Sequence, residues 1–307
     1  MAVSVAAGHP QYSGTFIPEI WSGKLLVKFY EATVIAAISN TDYEGEIKDQ
    51  GDKVIIRTVP DIAIRNYVKG QSLQIQRPEA PNVELPIDRA KYFNFVCDDI
   101  DKHQTDIALM DSWSRDASQQ MKISVDTDFL ADVYSDAHAS NKGTSAGAIS
   151  GDIDLGTTGD ILALTKANIL EVIVDCGTVL DEQNVPETDR WGLLPAWACG
   201  MILKSDLKDA SLSGDGQSIL RNGRLGVIDT FTLYKSNLIS TASDGGYTAY
   251  HSMFGHKSAI SFAAQMTKME SLRAESTFGT LVRGLNVFGW NTLKTESLID
   301  LYIRKSS

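Results

Sequence analysis

The chain is poor in the residues that usually mark chemistry. It has three cysteines in 307 residues, Cys97, Cys176 and Cys199, far apart and odd in number. That spacing gives neither a disulfide framework nor the paired Cys/His pattern of a zinc site, so they read as reduced, buried small hydrophobes. The five histidines, His9, His103, His138, His251 and His256, make neither H-x-x-x-H nor H-E-x-x-H, which removes the common helical metal sites. No nucleophile elbow, P-loop or dinucleotide loop is read in the sequence, so the hydrolase, NTPase and dehydrogenase readings fall away. No apolar run approaches the roughly 20 residues of a membrane span. The N-terminus, MAVSVAAGHPQYSG, lacks a basic region followed by an apolar run, so no signal peptide is read. The expectation is a soluble intracellular product.

Cationic charge is also scarce. Lys plus Arg number 28 against 39 Asp plus Glu, a formal net charge of −11. A dedicated nucleic-acid binder draws its affinity from clustered cations, so that class is disfavoured. A wall around packed DNA is compatible with this charge, because it has only to avoid gripping a polyanion. The length suffices for a sizeable core, and 43% hydrophobic and 22% charged residues are ordinary for a folded protein.

What is present is an ordered series of elements. Ile20–Ile38 is apolar at near-helical spacing, with Trp21, Leu25, Leu26, Phe29 and Tyr30. From Lys53 to Val96 the chain reads as strands: KVIIRTV, IAIRNYV, SLQIQ, VELPI and YFNFV, punctuated by Pro60, Gly70, Pro78, Pro81 and Pro86. On pattern alone this is an ordinary antiparallel sheet. Asp98–His138 is the clearest helix, because Ile107, Met110, Trp113, Ala117, Met121, Val125, Phe129 and Val133 form one apolar stripe. Thr105 or Asp106 would cap it. A Gly/Ser/Thr-rich loop, 139–159, leads to a second amphipathic helix over Thr165–Asn184, with Ile169, Val172, Ile173 and Cys176 on one face.

Trp191–Leu194 reads as an apolar strand ended by Pro195, and Ala196–Leu207 as a helix. Gly214 and Gly216 open a loop, Arg221–Gly226 is a turn, and Thr230–Ser236 alternates as a half-buried strand. Later strands are read at Gly279–Trp290 and Leu298–Ile303, with the apolar segment SAISFAAQ and a polar Thr267–Arg273 before them.

Two acidic groups invite a chemical reading. Asp126, Asp128, Asp132 and Asp136 fall on or near the polar side of the long helix and, without a matched His, read as a solvated face. Asp152, Asp154 and Asp160 are spaced like part of a calcium loop but lack the later bidentate Glu. No catalytic, cofactor or metal residue is assigned.

The order of pieces in V-P-x-x-x-R-W-x-L-L-P (185–195), N-G-R-L-G-x-I-x-x-F-x-L-Y-x-S-N (222–237) and the later F-G-W (288–290) resembles the major capsid proteins of tailed bacteriophages with the Hong Kong 97-like fold. The resemblance runs along nearly the whole chain. It implies an α+β fold with an N-terminal arm (1–40), an extended β-hairpin loop (41–97), a peripheral domain with a spine helix (98–160), an axial domain (161–250) and return strands shared by the two (251–307). It implies a coat subunit that self-assembles as pentamers and hexamers into an icosahedral head around double-stranded DNA. The chain would be made in the host cytoplasm and end in the virion, with no membrane partner.

On the same resemblance the arm crosses onto a neighbouring subunit; the residues alone equally allow a helix packed on its own domain. The hairpin lies over an adjacent copy, and Arg57, Arg65, Lys69, Arg77, Trp21 and Phe29 are the candidate inter-subunit contacts. The four cations would pair with a neighbour's carboxylates or stand as solvated rim charges. The little sequence before the arm implies, on this resemblance, a separate scaffolding protein or a chain already processed, and Met1 favours the first. A portal protein and a decoration protein complete the implied partners, and packaged DNA is enclosed without specific binding. The alternatives are an encapsulin-like nanocompartment shell and, in another class, an enzyme with an unmarked active site.

Overall fold

The computed structural model describes residues 33–43, 53–60, 62–99, 109–205, 227–274 and 277–306. Its strands, in chain order, are β1 (Lys53–Arg57), β2 (Asn82–Pro86), β3 (Arg89–Asp98), β4 (Leu162–Leu164), β5 (Arg190–Leu194), β6 (Val227–Ile228), β7 (Phe231–Lys235), β8 (Thr241–Asp244), β9 (Tyr247–His256), β10 (Ile260–Arg273), β11 (Gly279–Thr292) and β12 (Leu298–Lys305). The main helices are a long one, Leu109–Asp132, a second, Ile169–Glu182, and a short Ala196–Ile202.

Seven strands form one mixed sheet in the order β4-β12-β9-β5-β7-β6, with β8 paired to β9. β5 is its centre and is buried along its whole length, as a strand covered on both faces must be. Its side chains alternate between two cores. Leu194 joins Ile173, Cys176, Leu180, Ile202 and Phe231 under the second helix. Trp191 and Leu193 join Phe129, Val133, Met253 and Leu298 under the long helix. Gly192 has no Cβ because the Phe254 ring and Leu233 already fill that space. On the second-helix side lies Ser252, fully buried, whose hydroxyl has no hydrogen-bond partner. An orphaned buried hydroxyl costs about 1 kcal/mol or more, so Ser252→Ala is expected to raise the urea midpoint. A lowered midpoint would show that the hydroxyl contributes.

A second sheet, in the order β10-β11-β3, extends from this body. β10 and β11 form a hairpin of 14 residues a side, with a bulge between Ala264 and Met266. β3 pairs with β11 from Gly279↔Asp98 to Phe288↔Arg89. The apolar and polar stretches read separately at 260–273 are therefore one strand.

The long helix lies along the inner face of β3. Phe95 meets Trp113 edge-on, Lys91 reaches Asp128 at 2.6 Å, and Arg89 reaches Asp132 at 2.7 Å while stacking on Trp290. The helix expected over Asp98–His138 ends sooner than His138 and does not include Asp98, while residues 100–108 lie outside the described residues. Asp98 is held in β3 by its pairing with Gly279, and Asp99 binds Arg273. After Asp132 the chain tightens into 3-10 turns at Val133–Asp136 and Ala139–Asn141. The proposed caps at Thr105 and Asp106, the loop at 214–216 and the turn at 221–226 lie outside the described residues. The helix expected to run from Ala196 to Leu207 is shorter: it ends at Ile202, and the chain turns at 203–205.

The four helix aspartates are not a plain solvated face. Asp128, Asp132 and Asp136 bind Lys91, Arg89 with Trp290, and Thr292, pinning the helix to β3 and β11. Asp126 is buried and accepts the Val34 N–H at 2.5 Å, fastening the short turn Ile35–Ile38. The helix is packed on more than one side, which a one-stripe reading cannot see.

Burial pushes the Asp126 carboxyl up to about 6, although the Val34 and Ile35 amides act against it. A carboxyl raised in the folded state holds its proton there longer than in the unfolded chain. It therefore favours folding at low pH and loses that contribution as pH rises from about 4 through 6. Asp126→Asn keeps an acceptor for Val34 and removes the buried charge. We expect the variant's urea midpoint near wild type at pH 4 and above it at pH 7.5, where its stability gain is on the order of 2–3 kcal/mol. Equal pH profiles for the two chains would contradict this.

Candidate assembly interface

β1 and β2 form a two-stranded ribbon in register from Lys53↔Pro86 to Arg57↔Asn82. A ribbon of two strands is marginal in water, so its foot needs a core. Val54, Leu85 and Ile87 supply one with Ala263 of β10. Asn291 of β11 donates to the Glu84 carbonyl at 2.6 Å, and Lys53 pairs with Glu84 at 2.9 Å. Thr58 closes the ribbon by donating to the Pro81 carbonyl at 2.5 Å.

Beyond Thr58 the two legs part. IAIRNYV and SLQIQ were expected as strands, and neither forms one. The reason is partnership: a leg needs a ladder, and these legs stand apart around a gap of about 380 Å³ lined by Ile62, Arg65, Tyr67, Leu73 and Gln76, among others. Glutamine side chains substitute in two places, Gln76 accepting from Ala63 N–H at 3.0 Å and Gln71 from Val68 N–H at 3.2 Å. The tip is a turn at 68–71, with Gly70 at φ +87, where a glycine is needed.

The finger 59–77 carries seven exposed large apolar side chains: Val59, Ile62, Ile64, Tyr67, Val68, Leu73 and Ile75. Ile64 is 92% and Ile75 97% exposed. Isolated exposed apolar residues are ordinary, but a collection on one projecting segment marks a contact surface. Arg57, Arg65, Lys69 and Arg77 are all exposed along this ribbon and finger, and among the described residues none of them is in an ion pair. The structure spreads them along the projection and does not gather them into one site. Trp21 and Phe29 lie outside the described residues.

The outer face of the three-stranded sheet is the second open surface. Strand pairing sets three rows across it: Val96–Leu281–Leu272, Asn94–Arg283–Glu270 and Tyr92–Leu285–Lys268. Tyr92 is 79% exposed, and Val96, Leu272 and Leu285 are also open. In the middle row Arg283 binds Glu270 at 2.7 Å, and Lys268 reaches the same carboxylate. These two cations hold the Glu270 carboxyl below its usual range. A shallow cavity of about 410 Å³ lies over the second and third of these rows.

Chemistry elsewhere is slight. GTSAG at Gly143–Gly147 does carry the G-x-S-x-G spacing, against the sequence reading. It sits in a loop with neither a strand before nor a helix after it, so Ser145 lacks the strained turn that makes an elbow. All three cysteines are free and buried, and burial pushes the Cys199 thiol up to about 11 and that of Cys176 well above its usual range. Such thiols are inert. Among the described residues no three His, Cys, Asp or Glu side chains are placed to hold a metal, and no helix is long and apolar enough to cross a membrane.

Two buried polar centres carry no signal in the sequence. His251 and Asp300 face each other at 3.1 Å between Tyr134 and Tyr302. Arg190, within the R-W of the first motif, has a fully buried side chain bonded to four partners. Both centres hold the body together and lie apart from the two open surfaces.

No protein-family model matches the chain, and no curated protein does. Its shape does match solved structures. It superposes on a structure of Mycobacterium phage Che8 with a TM-score of 0.76 and 26% identity, over 94% of this chain and 98% of that one. The capsid of the cyanophage P-SCSP1u gives a TM-score of 0.71 at 16% identity, over 95% and 94% of the two chains. The mature capsid of bacteriophage PhiM1 gives 0.67 at 14%, over 94% and 92%.

Proposed function

We infer that this chain, which carries the α+β fold of tailed-phage capsid proteins along almost its whole length, is a major capsid protein: a structural subunit that self-associates into the shell of a virion. The end-to-end likeness to phage capsids carries this reading. The open finger and sheet face supply the physical need for copies of itself, since both expose apolar surface that a solitary subunit leaves in water.

In the finer reading, the architecture is Hong Kong 97-like. Residues 1–40 are the arm, and 41–97 the extended loop, whose last strand returns into the three-stranded sheet. Residues 98–160 make the peripheral domain around the long helix, 161–250 the axial domain, and 251–307 the strands shared between them. Copies meet head to tail about local axes and close into pentamers and hexamers, as heterologous contacts do when the rotation closes. Arg57, Arg65, Lys69 and Arg77 on the loop, with Trp21 and Phe29 in the arm, are its inter-subunit contacts. A separate scaffolding protein, a portal and a decoration protein are the remaining partners. Double-stranded DNA is enclosed without being specifically bound, consistent with the net charge of −11.

The test is negative-stain microscopy of the purified chain, alone and co-expressed with its neighbouring genes. Closed shells, tubes, or rings of five and six are expected. Monomers or dimers alone in both preparations would overturn the reading.

A further inference from the structure

β10 is the end strand of the three-stranded sheet, with β11 on one side of it. On its other edge, among the described residues, the one backbone bridge is that of Asn40 with Ser261. That bridge fixes the direction of the backbone groups. Asn40 N–H donates to the Ile260 carbonyl and Phe262 N–H to the Asn40 carbonyl, so even-numbered residues face outward there. The bulge between Ala264 and Met266 adds one residue and reverses the phase. Past it, Ala274 N–H donates toward β11, to the Gly279 carbonyl, which leaves the odd-numbered residues from 267 to 273 facing outward.

An open edge invites pairing, and a lone lysine on the edge is one common way to prevent it. Lys268 is exposed there, but it is not alone: Glu270 stands two positions along, on the same face. The segment TKMES (267–271) is thereby its own complement about Met269. Laid antiparallel against a second copy, it sets Lys268 of each chain opposite Glu270 of the other. Met269 then faces its own counterpart as a hydrogen-bonded pair, because its backbone groups point outward. The Lys/Glu pairs fall at the non-hydrogen-bonded positions, where opposed side chains come closest. Centring the pairing on Lys268 or on Glu270 would oppose like charges instead. Arg283 and Lys268 already orient the Glu270 carboxylate within one subunit, and Met269 leaves an apolar side chain 53% exposed at the middle of the edge.

We propose that β10 of one subunit pairs antiparallel with β10 of a second across a two-fold axis at Met269, joining their three-stranded sheets into one continuous sheet. The occupant is a second copy because the charge pattern of this edge is complementary to itself. The contact is isologous, unlike the head-to-tail contacts within a ring, so it suits copies that belong to neighbouring rings. The inference rests on the coat-protein reading and adds to it a strand pairing and a register.

The experiment is disulfide mapping in particles of the full chain. Met269→Cys is assembled alone, and Lys268→Cys is co-assembled with Glu270→Cys. After oxidation the joined peptides are identified by mass spectrometry. The three native thiols are buried and stay out of the reaction. Met269→Cys is expected to join itself, and Lys268→Cys to join Glu270→Cys at least tenfold over joining itself. Particles that form without the Met269→Cys crosslink, or with Lys268→Cys joined mainly to itself, overturn the pairing and leave the coat reading standing. Absence of particles from the unaltered chain under every condition overturns both.

Should the cysteine chains not assemble, hydrogen exchange of the unaltered chain decides. The Met269 and Ser271 amides are expected to slow at least tenfold between unassembled chain and particle. Unchanged exchange at either overturns the pairing.

Discussion

Arg190→Ala is expected to destabilise the subunit by about 3–5 kcal/mol, the range for removing one member of a buried polar network. The guanidinium donates to the Val185 carbonyl at 2.6 Å, the Pro186 carbonyl at 2.8 Å and Thr230 at 3.3 Å, and pairs with Asp181 at 2.6 Å. It thereby ties the loop after the second helix to the start of β5 and to the turn before β7. The weight lies in the carbonyls. Asp181 is 59% exposed, so its ion pair is screened and Asp181→Asn should cost no more than about 1 kcal/mol. Arg190→Lys keeps the charge but has no planar fork to serve several acceptors, and should recover little. Urea titration of the unassembled chains measures all three. A wild-type midpoint for Arg190→Ala would show that water replaces the side chain at no cost.

The second large effect is expected at Gly289, where the ribbon crosses β11. A Cβ there would run into the Pro86 carbonyl oxygen and the Ile87 Cα, both backbone. Backbone cannot swing aside as a side chain can, so Gly289→Val should cost about 3 kcal/mol or more. The loss should be local. Hydrogen exchange at 53–57 and 82–87 is expected to quicken, with β9 and β12 amides unchanged, and particle yield to collapse because the finger has lost its foot. Uniformly faster exchange would place the damage in the body instead. Normal particles would mean that the ribbon can stand off β11 without consequence.

The sequence was most legible where one element could be read alone. The stripe from Met110 to Val133 marks the long helix, Ile169 to Leu180 the second, and the short run at Trp191–Leu194, stopped by Pro195, the central strand. Order and spacing of the motifs gave the capsid resemblance that the fold bears out. Strand signals failed at IAIRNYV and SLQIQ because alternation reports a preference for a pleated surface, whereas a strand also needs a neighbour. The three-stranded sheet was hidden by distance, since β3 and β11 meet from opposite ends of the chain. Asp126 and Arg190 were illegible for a related reason. A charged letter reads as surface, and only the packing of Val34 on the helix, or of the 185–190 loop on β5, reveals it as a buried connector.

The pairing of β3 with β11 has a consequence during synthesis. Arg89 leaves the ribosome about 200 residues before its partner Phe288 does, a delay of roughly 10–40 s at ordinary translation rates. β12, between β4 and β9, completes the seven-stranded sheet later still. The finger is therefore made long before either sheet can close. A nascent chain therefore carries the finger's exposed apolar side chains before its three-stranded sheet is finished. A chain whose synthesis has not passed β12 lacks the complete seven-stranded sheet, so the folded body belongs to the finished chain alone.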